Sequence, residues 1–178
     1  MAFYSENQLT IYGSSQELKK FHQENKSDID KDTLNELEPS IISFSKSVPI
    51  PNISSDKSGF NIKNWCILNW GTQLDCCGGN VVFNWKDKFE QNVALSPVIL
   101  DNIIYTFWTS EYAPINWINQ ITKKYPEIKF ELKYAEEQGG ISGIFVVKDD
   151  TIILEDEDYY GKYYGSKSDK DILENMYS

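Results

Sequence analysis

Apolar and polar positions alternate over 7–12, with Leu9 and Ile11 on one face, and this spacing predicts a strand. Gly13 ends it. Ser14 and Glu17 have the spacing of a capping box, so a helix is expected next, with Leu18 and Phe21 on its inner face. The polar stretch 28–39 carries Leu34 and Leu37 and fits another short helix. Positions 41–44 read as a second short strand, which gives a β-α-β opening. Positions 46–59 are rich in Ser, Pro and Asn and read as loop. The apolar run 65–70 reads as a strand, Gly78-Gly79 as a turn and 81–85 as a further strand, so that 65–85 forms a hairpin. Three of the five Trp fall in this insertion.

The second half is more regular. Positions 103–108 predict a strand, and Pro114 sits where a proline at the first helical position would sit. Trp117, Ile118, Ile121 and Tyr125 line one helical face, Lys123 and Lys124 suit the negative end of the helix dipole, and Pro126 stops the helix. Ile128, Phe130, Leu132 and Tyr134 alternate over another strand. Gly139-Gly140 turns the chain into 141–147, and Asp149-Asp150 turns it into 151–154. Without the insertion, the order is the ferredoxin-like split β-α-β plan: an α+β sandwich with an extended antiparallel sheet. Residues 1–154 are expected to form one domain with its insertion at about 47–100, and 155–178 an acidic, Tyr-rich tail that is solvated.

Charge narrows the partners. The chain carries a formal charge of −10, and all 17 of its basic residues are Lys. Arg is the usual bidentate ligand for guanine edges and phosphates. A chain with none, at this net charge, lacks most of the electrostatic attraction that drives binding to DNA or RNA. No apolar run approaches the ~20 residues of a membrane span. The opening residues include Glu6 and Asn7 and lack the apolar stretch of a signal peptide. The odd, clustered Cys66, Cys76 and Cys77 do not make a secreted disulfide framework, so a soluble cytoplasmic protein is expected.

Few residues offer catalytic chemistry. The single His22 lies in the capped helix beside Gln23 and Glu24, which favours a surface position over a catalytic base. The cysteines lack the pair spacing of a zinc site and read as buried thiols. Gly139-Gly140-Ile141-Ser142-Gly143 lacks the Gly-Lys-Ser/Thr ending of a phosphate loop and reads as a hairpin turn. Asp75, Glu111, Glu136 and Glu137 supply carboxylates near the aromatic motifs, enough for a weak metal-dependent hydrolase or for nothing more than charge.

Several segments together resemble the YubB-type ferredoxin-like domains, a family of small phage and plasmid proteins. They are Asn7-Gln8-Leu9-Thr10-Ile11 with the following helix, and Phe44-Ser45-Lys46-Ser47-Val48-Pro49-Ile50-Pro51, similar to the family's Phe-x-x-x-x-Pro-x-Pro. Asn69-Trp70-Gly71-Thr72 and Thr106-Phe107-Trp108-Thr109-Ser110 follow, and Phe130 to Tyr134 with Glu136 and Gly143 closes the set. Where the family usually continues with Lys and Trp, Gln73 and Leu74 stand here, and of its paired prolines only Pro114 remains. The resemblance implies a fold and an origin in a mobile element, and it carries no settled activity.

Two sets of candidate residues result. Asn69, Trp70, Thr72, Asp75, Trp108, Glu111, Tyr134 and Glu136 either pack the insertion onto the sheet or line a pocket for a planar, nucleotide-like ligand. Glu155, Asp156, Glu157, Asp158, Tyr159 and Tyr160 are candidates for contacting a partner. The leading expectation is a non-catalytic binding protein without cofactor or metal. Its acidic surface suits a host or phage protein with a basic surface, such as a nucleic-acid-binding or defence protein blocked by charge mimicry.

Overall fold

The alternation of Leu9 and Ile11 does make a strand. The computed structural model describes residues 4–28, 41–52, 61–85, 101–136 and 138–164. In it β1 (Tyr4–Tyr12), β2 (Cys77–Asn84), β3 (Asn102–Ser110), β4 (Lys129–Glu136), β5 (Ile141–Lys148) and β6 (Thr151–Tyr159) form a six-stranded sheet. Its order is β2-β3-β1-β4-β5-β6, and every neighbouring pair is antiparallel. β3 and β4 both oppose β1, so they run parallel to each other with β1 between them. The helix joining them, Ile115–Lys124, completes a split β-α-β unit.

One face of the sheet is apolar in register. Leu9 stands between Tyr105 and Leu132, and Ile11 between Ile103 and Phe130. The row continues onto Phe145 and Val147 in β5. Helix α1 (Ser15–Asn25) covers this face with Leu18 and Phe21. Ser14 starts it, its Oγ accepting the Glu17 N–H at 3.3 Å. The Phe21 ring meets Tyr125 and Phe130 edge-on, at 5.0 and 5.6 Å between centroids. His22 is half-buried beside it, with Nδ1 3.0 Å from the Tyr105 hydroxyl and its ring edge-on to Phe83, so the surface position expected for it is corrected. Burial holds that imidazole below its usual pKa, and Lys26 adds to the effect.

The insertion departs from the pattern reading. Positions 41–44 make an isolated bridge, Ile42 to Lys26, and then a short helix α2 (Phe44–Ser47). The opening is therefore β-α with one bridge. The run 65–70 lies in helix α3 (Ile62–Trp70), and no 65–85 hairpin exists. A short apolar run has no period that separates strand from helix. The ends decide. Asn61 Oδ1 accepts the Asn64 N–H at 3.2 Å, and Gly71 closes the helix at φ 87°, its N–H on the Ile67 carbonyl. Gly78-Gly79 is not a turn: it lies inside β2, at a bulge between Cys77 and Asn80. Pro114 is the N-cap of α4, the Ile115–Lys124 helix, rather than its first residue. There Trp117, Ile118 and Ile121 are buried as the periodicity predicted. The short helix expected around Leu34 and Leu37 lies outside the described residues, as do positions 53–60 of the expected loop.

The final hairpin is longer than predicted. Asp149 and Asp150 both take left-handed φ, 48° and 57°, as a two-residue turn of this twist requires. β6 then runs through Glu155-Asp156-Glu157-Asp158 to Tyr159, paired with β5. The acidic run is a strand over these positions, and residues 165–178 lie outside the described ones. No helix among the described residues is long and apolar enough to cross a membrane.

Gly79 has φ 111°, and a Cβ there would lie 1.8 Å from the Thr106 carbonyl oxygen. Gly79→Ala is therefore expected to cost more than ~2 kcal/mol. A urea titration reads this as a lower midpoint at unchanged slope.

Candidate functional site

The side chains that alternate with the core rows point to the second face of the sheet. One row crosses it completely: Cys77, Trp108, Glu6, Ala135, Ser142, Asp158. Part of this face is covered by the chain itself. After β6, Gly161 takes φ 86° and the chain folds back as a strap. The Tyr160 N–H donates to the Gly140 carbonyl at 2.8 Å, and the Tyr163 N–H donates to Ser142 Oγ at 3.1 Å. Ser142 Oγ in turn donates to the Tyr159 carbonyl at 2.8 Å and is fully buried. Tyr164 then reaches the hollow at Glu6, Thr106, Phe107 and Trp108.

The strap and the sheet enclose adjoining hollows that share residues. One of about 380 Å³ lies among Tyr4, Glu6, Cys77, Trp108, Ala135, Gln138 and Tyr160. A second, of about 360 Å³, shares Tyr4 and Gln138 and adds Glu111, Tyr112 and Glu136 at the end of the sheet. The Tyr164 hollow, of about 230 Å³, shares Glu6 and Trp108 with the first. The result is a groove lined by aromatic rings and carboxylates. Among the described residues that line it, none is basic.

Buried polar contacts set the geometry of its end. Asn7 Nδ2 donates to Thr109 Oγ1 at 2.9 Å, Thr109 Oγ1 donates to the Tyr112 carbonyl at 2.8 Å, and Thr72 Oγ1 donates to the Ser110 carbonyl at 2.7 Å. These bonds hold the chain around Glu111, whose φ of 69° is unusual for a residue with a side chain. The Ala113 N–H donates to Glu136 Oε1 at 3.4 Å. Burial pushes the Glu136 carboxyl up from its ordinary pKa; the Ala113 hydrogen bond opposes the shift, and the Glu157 charge reinforces it. Tyr134 is buried, and its hydroxyl donates to Glu157 at 2.9 Å. Gly143 makes room for that ring, since a Cβ there would lie 2.2 Å from it.

The structure divides the first set of predicted site residues. Trp108, Glu111 and Glu136 reach the groove. Trp70 does not. It is 2% exposed on the helix side, edge-on to Phe44 and Trp65, with Nε1 donating to the Val48 carbonyl at 2.9 Å. Phe107 belongs to that same core and Trp108 follows it in the strand, so Trp70 and Trp108 stand on opposite faces of the sheet and share no pocket. Asn69 Nδ2 donates to the Trp65 carbonyl, and Thr72 is fully buried. Asp75 accepts from Ser43 Oγ and the Phe44 N–H, both at 2.7 Å, from the Cys76 N–H at 2.9 Å and from the Ser45 N–H at 3.3 Å. Its carboxylate pins the start of α2. Among the described residues no three His, Cys, Asp or Glu side chains gather as metal ligands; Glu137 lies outside the described ones. Cys66 and Cys76 are buried and Cys77 is half-buried, and none of the three is in a disulfide.

Glu155, Asp156, Glu157, Asp158 and Tyr159 of the second set are displayed on β6, where every residue is exposed. Asp156 accepts from the Tyr163 hydroxyl and pairs with Lys162 at 3.6 Å, and Asp158 also pairs with Lys162. These bonds hold both carboxyls below the ordinary aspartate range, the Tyr163 hydrogen bond leading for Asp156 and the Lys162 bond for Asp158. Glu155 is exposed beside them, as is Tyr159, and Tyr160 lines the groove. Sequence reasoning missed Tyr4, Glu6, Tyr112, Gln138 and Tyr164. For Tyr4 and Glu6 the signal was present: they continue the alternation of β1 on the face opposite Leu9 and Ile11.

Comparison with known proteins fits this architecture. The family described as a ferredoxin-like domain in Api92-like protein matches residues 83–174, slightly more than half of the chain. The crystal structure of a protein api92 from Yersinia pseudotuberculosis superimposes with a TM-score of 0.57, covering 93% of this chain and 100% of that one. At 8% sequence identity this is a likeness of fold. No curated protein matches the chain.

Asp75→Ala is expected to cost roughly 2 kcal/mol, because it orphans the half-buried Phe44 N–H. Glu111→Gln, on the half-buried turn at the end of the sheet, is expected to stay within about 0.5 kcal/mol of the wild type. Chemical denaturation of the two variants separates architecture from groove. Glu136 adds a pH dependence. Its raised pKa means that the fold holds this proton more tightly than the unfolded chain does. That stability is complete below the ordinary value of 4.5 and is lost as pH rises through the folded value. Glu136→Gln escapes the loss, so the stability difference is expected to move in favour of the variant as pH rises from below 4.5 through the folded value. A difference that stays flat across that range would contradict the shift.

Proposed function

The chain belongs to the family of ferredoxin-like domains in Api92-like proteins, and we propose that within this fold it is a non-catalytic binding protein that docks a basic partner protein. The observation that carries the reading is the groove lined by aromatic rings with Glu6, Glu111 and Glu136 and, among the described residues, by no basic side chain. Aromatic rings supply contact area at little entropic cost, and carboxylates select positive charge. The exposed β6 strand adds Asp156 and Asp158 to the same face of the sheet, Asp158 in the row of Glu6 and Trp108. With a net charge of −10 and no Arg, the surface repels phosphate-rich ligands and attracts cationic ones at long range.

A partner from a host or a phage, and a cytoplasmic setting, go with this reading. So does the phage or plasmid origin that the YubB-type resemblance implies. The nucleotide-like alternative has less support, since Trp70 is in the core and the remaining lining acids oppose phosphate. The hydrolase alternative has less again, because Asp75 caps α2 and does not line the hollow that holds Glu111 and Glu136.

Calorimetric titration with a Lys-rich peptide, and with a Glu-rich peptide of equal length, tests the reading. Binding of the basic peptide alone is expected, weakening severalfold from about 50 to 300 mM salt as charges are screened. Equal binding of both peptides, or of neither, would count against it.

A further inference from the structure

We infer that the hollow between Tyr4, Trp108 and Tyr160 receives the ammonium end of a lysine side chain presented by the basic partner, an assignment that rests on the binding reading above.

Three observations converge. First, Trp108 is 40% and Tyr4 53% exposed, whereas Tyr105, Phe107, Phe130, Tyr134 and Phe145 on the opposite face of the sheet are buried. Leaving that much aromatic surface in water is unfavourable, and a ligand that covers it recovers the loss. Second, the Glu6 carboxylate lines the same hollow as these rings. The face of an aromatic ring carries partial negative charge, so rings and a carboxylate around one space attract a cation and disfavour an anion. Third, the fold uses this chemistry a few residues away. Lys162 Nζ lies 4.7 Å from the centre of the Tyr163 ring and pairs with Asp156 and Asp158. No lysine is among the described residues that line the Trp108 hollow, which offers the same kinds of group to a cation from outside.

Size and access agree with a side chain. A space of about 380 Å³ accepts an extended lysine, whose methylene stem packs on the rings while its ammonium faces Glu6. The adjoining hollow with Glu111 and Glu136 then takes a neighbouring positive charge of the same segment, which accounts for a groove instead of a single pit.

The test uses the full chain with three probes, each at about 50 and about 300 mM salt: a Lys-rich peptide, the same peptide with its lysines acetylated, and tetramethylammonium chloride. The readouts are the Trp108 indole NMR resonance and the calorimetric affinity, for the wild type, W108L and E6Q. The lysine peptide is expected to move the Trp108 resonance and the acetylated one to leave it in place. W108L and E6Q are each expected to weaken binding by about three- to tenfold. E6Q keeps the shape of the residue, so it decides the matter if W108L fails to fold. Salt-dependent peptide binding that is the same in wild type, W108L and E6Q overturns the lysine hollow and leaves the acidic-surface reading standing. No salt-dependent binding at all overturns both. A response to tetramethylammonium without one to the peptide overturns the side-chain assignment in favour of a free organic cation.

Discussion

Everything in the molecule hangs on the double pairing of β1. Residues 6–12 are hydrogen-bonded on both sides, to β3 and to β4, and no other strand links the two halves of the split β-α-β unit. Because side chains alternate with a period of two, a slip of one residue would turn Leu9 and Ile11 outward and Glu6 and Gln8 into the core. The same register that buries Leu9 between Tyr105 and Leu132 places Glu6 between Trp108 and Ala135. Core and groove are two faces of one pairing decision. A change of register along β1 would displace both.

The two faces are finished by different means. Helices seal the first with aromatic contacts around Phe21, Phe44 and Trp117. Among the described residues, the second is crossed by the Tyr160 to Tyr164 strap, and the groove lies beside it. The strap is held by backbone bonds to Gly140 and Ser142 and by the Lys162 pairs, which are exposed and individually weak. β6, under the strap's starting point, is an edge strand. Four consecutive acids along it repel a second copy of the same edge, which keeps an exposed strand from pairing with itself.

Much of this was legible in the residue pattern, and the failures have physical causes. The strands around Leu9, Tyr105, Leu132 and Phe145 alternate cleanly because one face of each is buried, and α4 carries its core face at helical spacing. The run around Cys66 does not by itself separate helix from strand, because its caps, Asn61 and Gly71, lie outside the apolar segment. Gly78-Gly79 looks like a turn in any sequence. Only the close approach of Thr106 shows that the glycines serve a bulge. The Trp70 and Trp108 motifs are alike in composition, yet one ring is sealed and the other open, and the difference lies in strand parity and in helix α3. Glu111 and Glu136 were singled out with Asp75 for their chemistry. Tertiary structure brings the first two to one hollow and gives the third to backbone N–H groups.

The groove is assembled from opposite ends of the described chain. Tyr4 and Glu6 come from the first strand, Tyr160 and Tyr164 from the segment that follows the last. A nascent chain that has emerged only as far as β5 holds the five strands that bury the shared core, but not the strap. The buried core draws on no described residue beyond β5, whereas the groove needs the chain as far as Tyr164. A chain cut before residue 160 would keep every residue of that core and lose one wall of the groove.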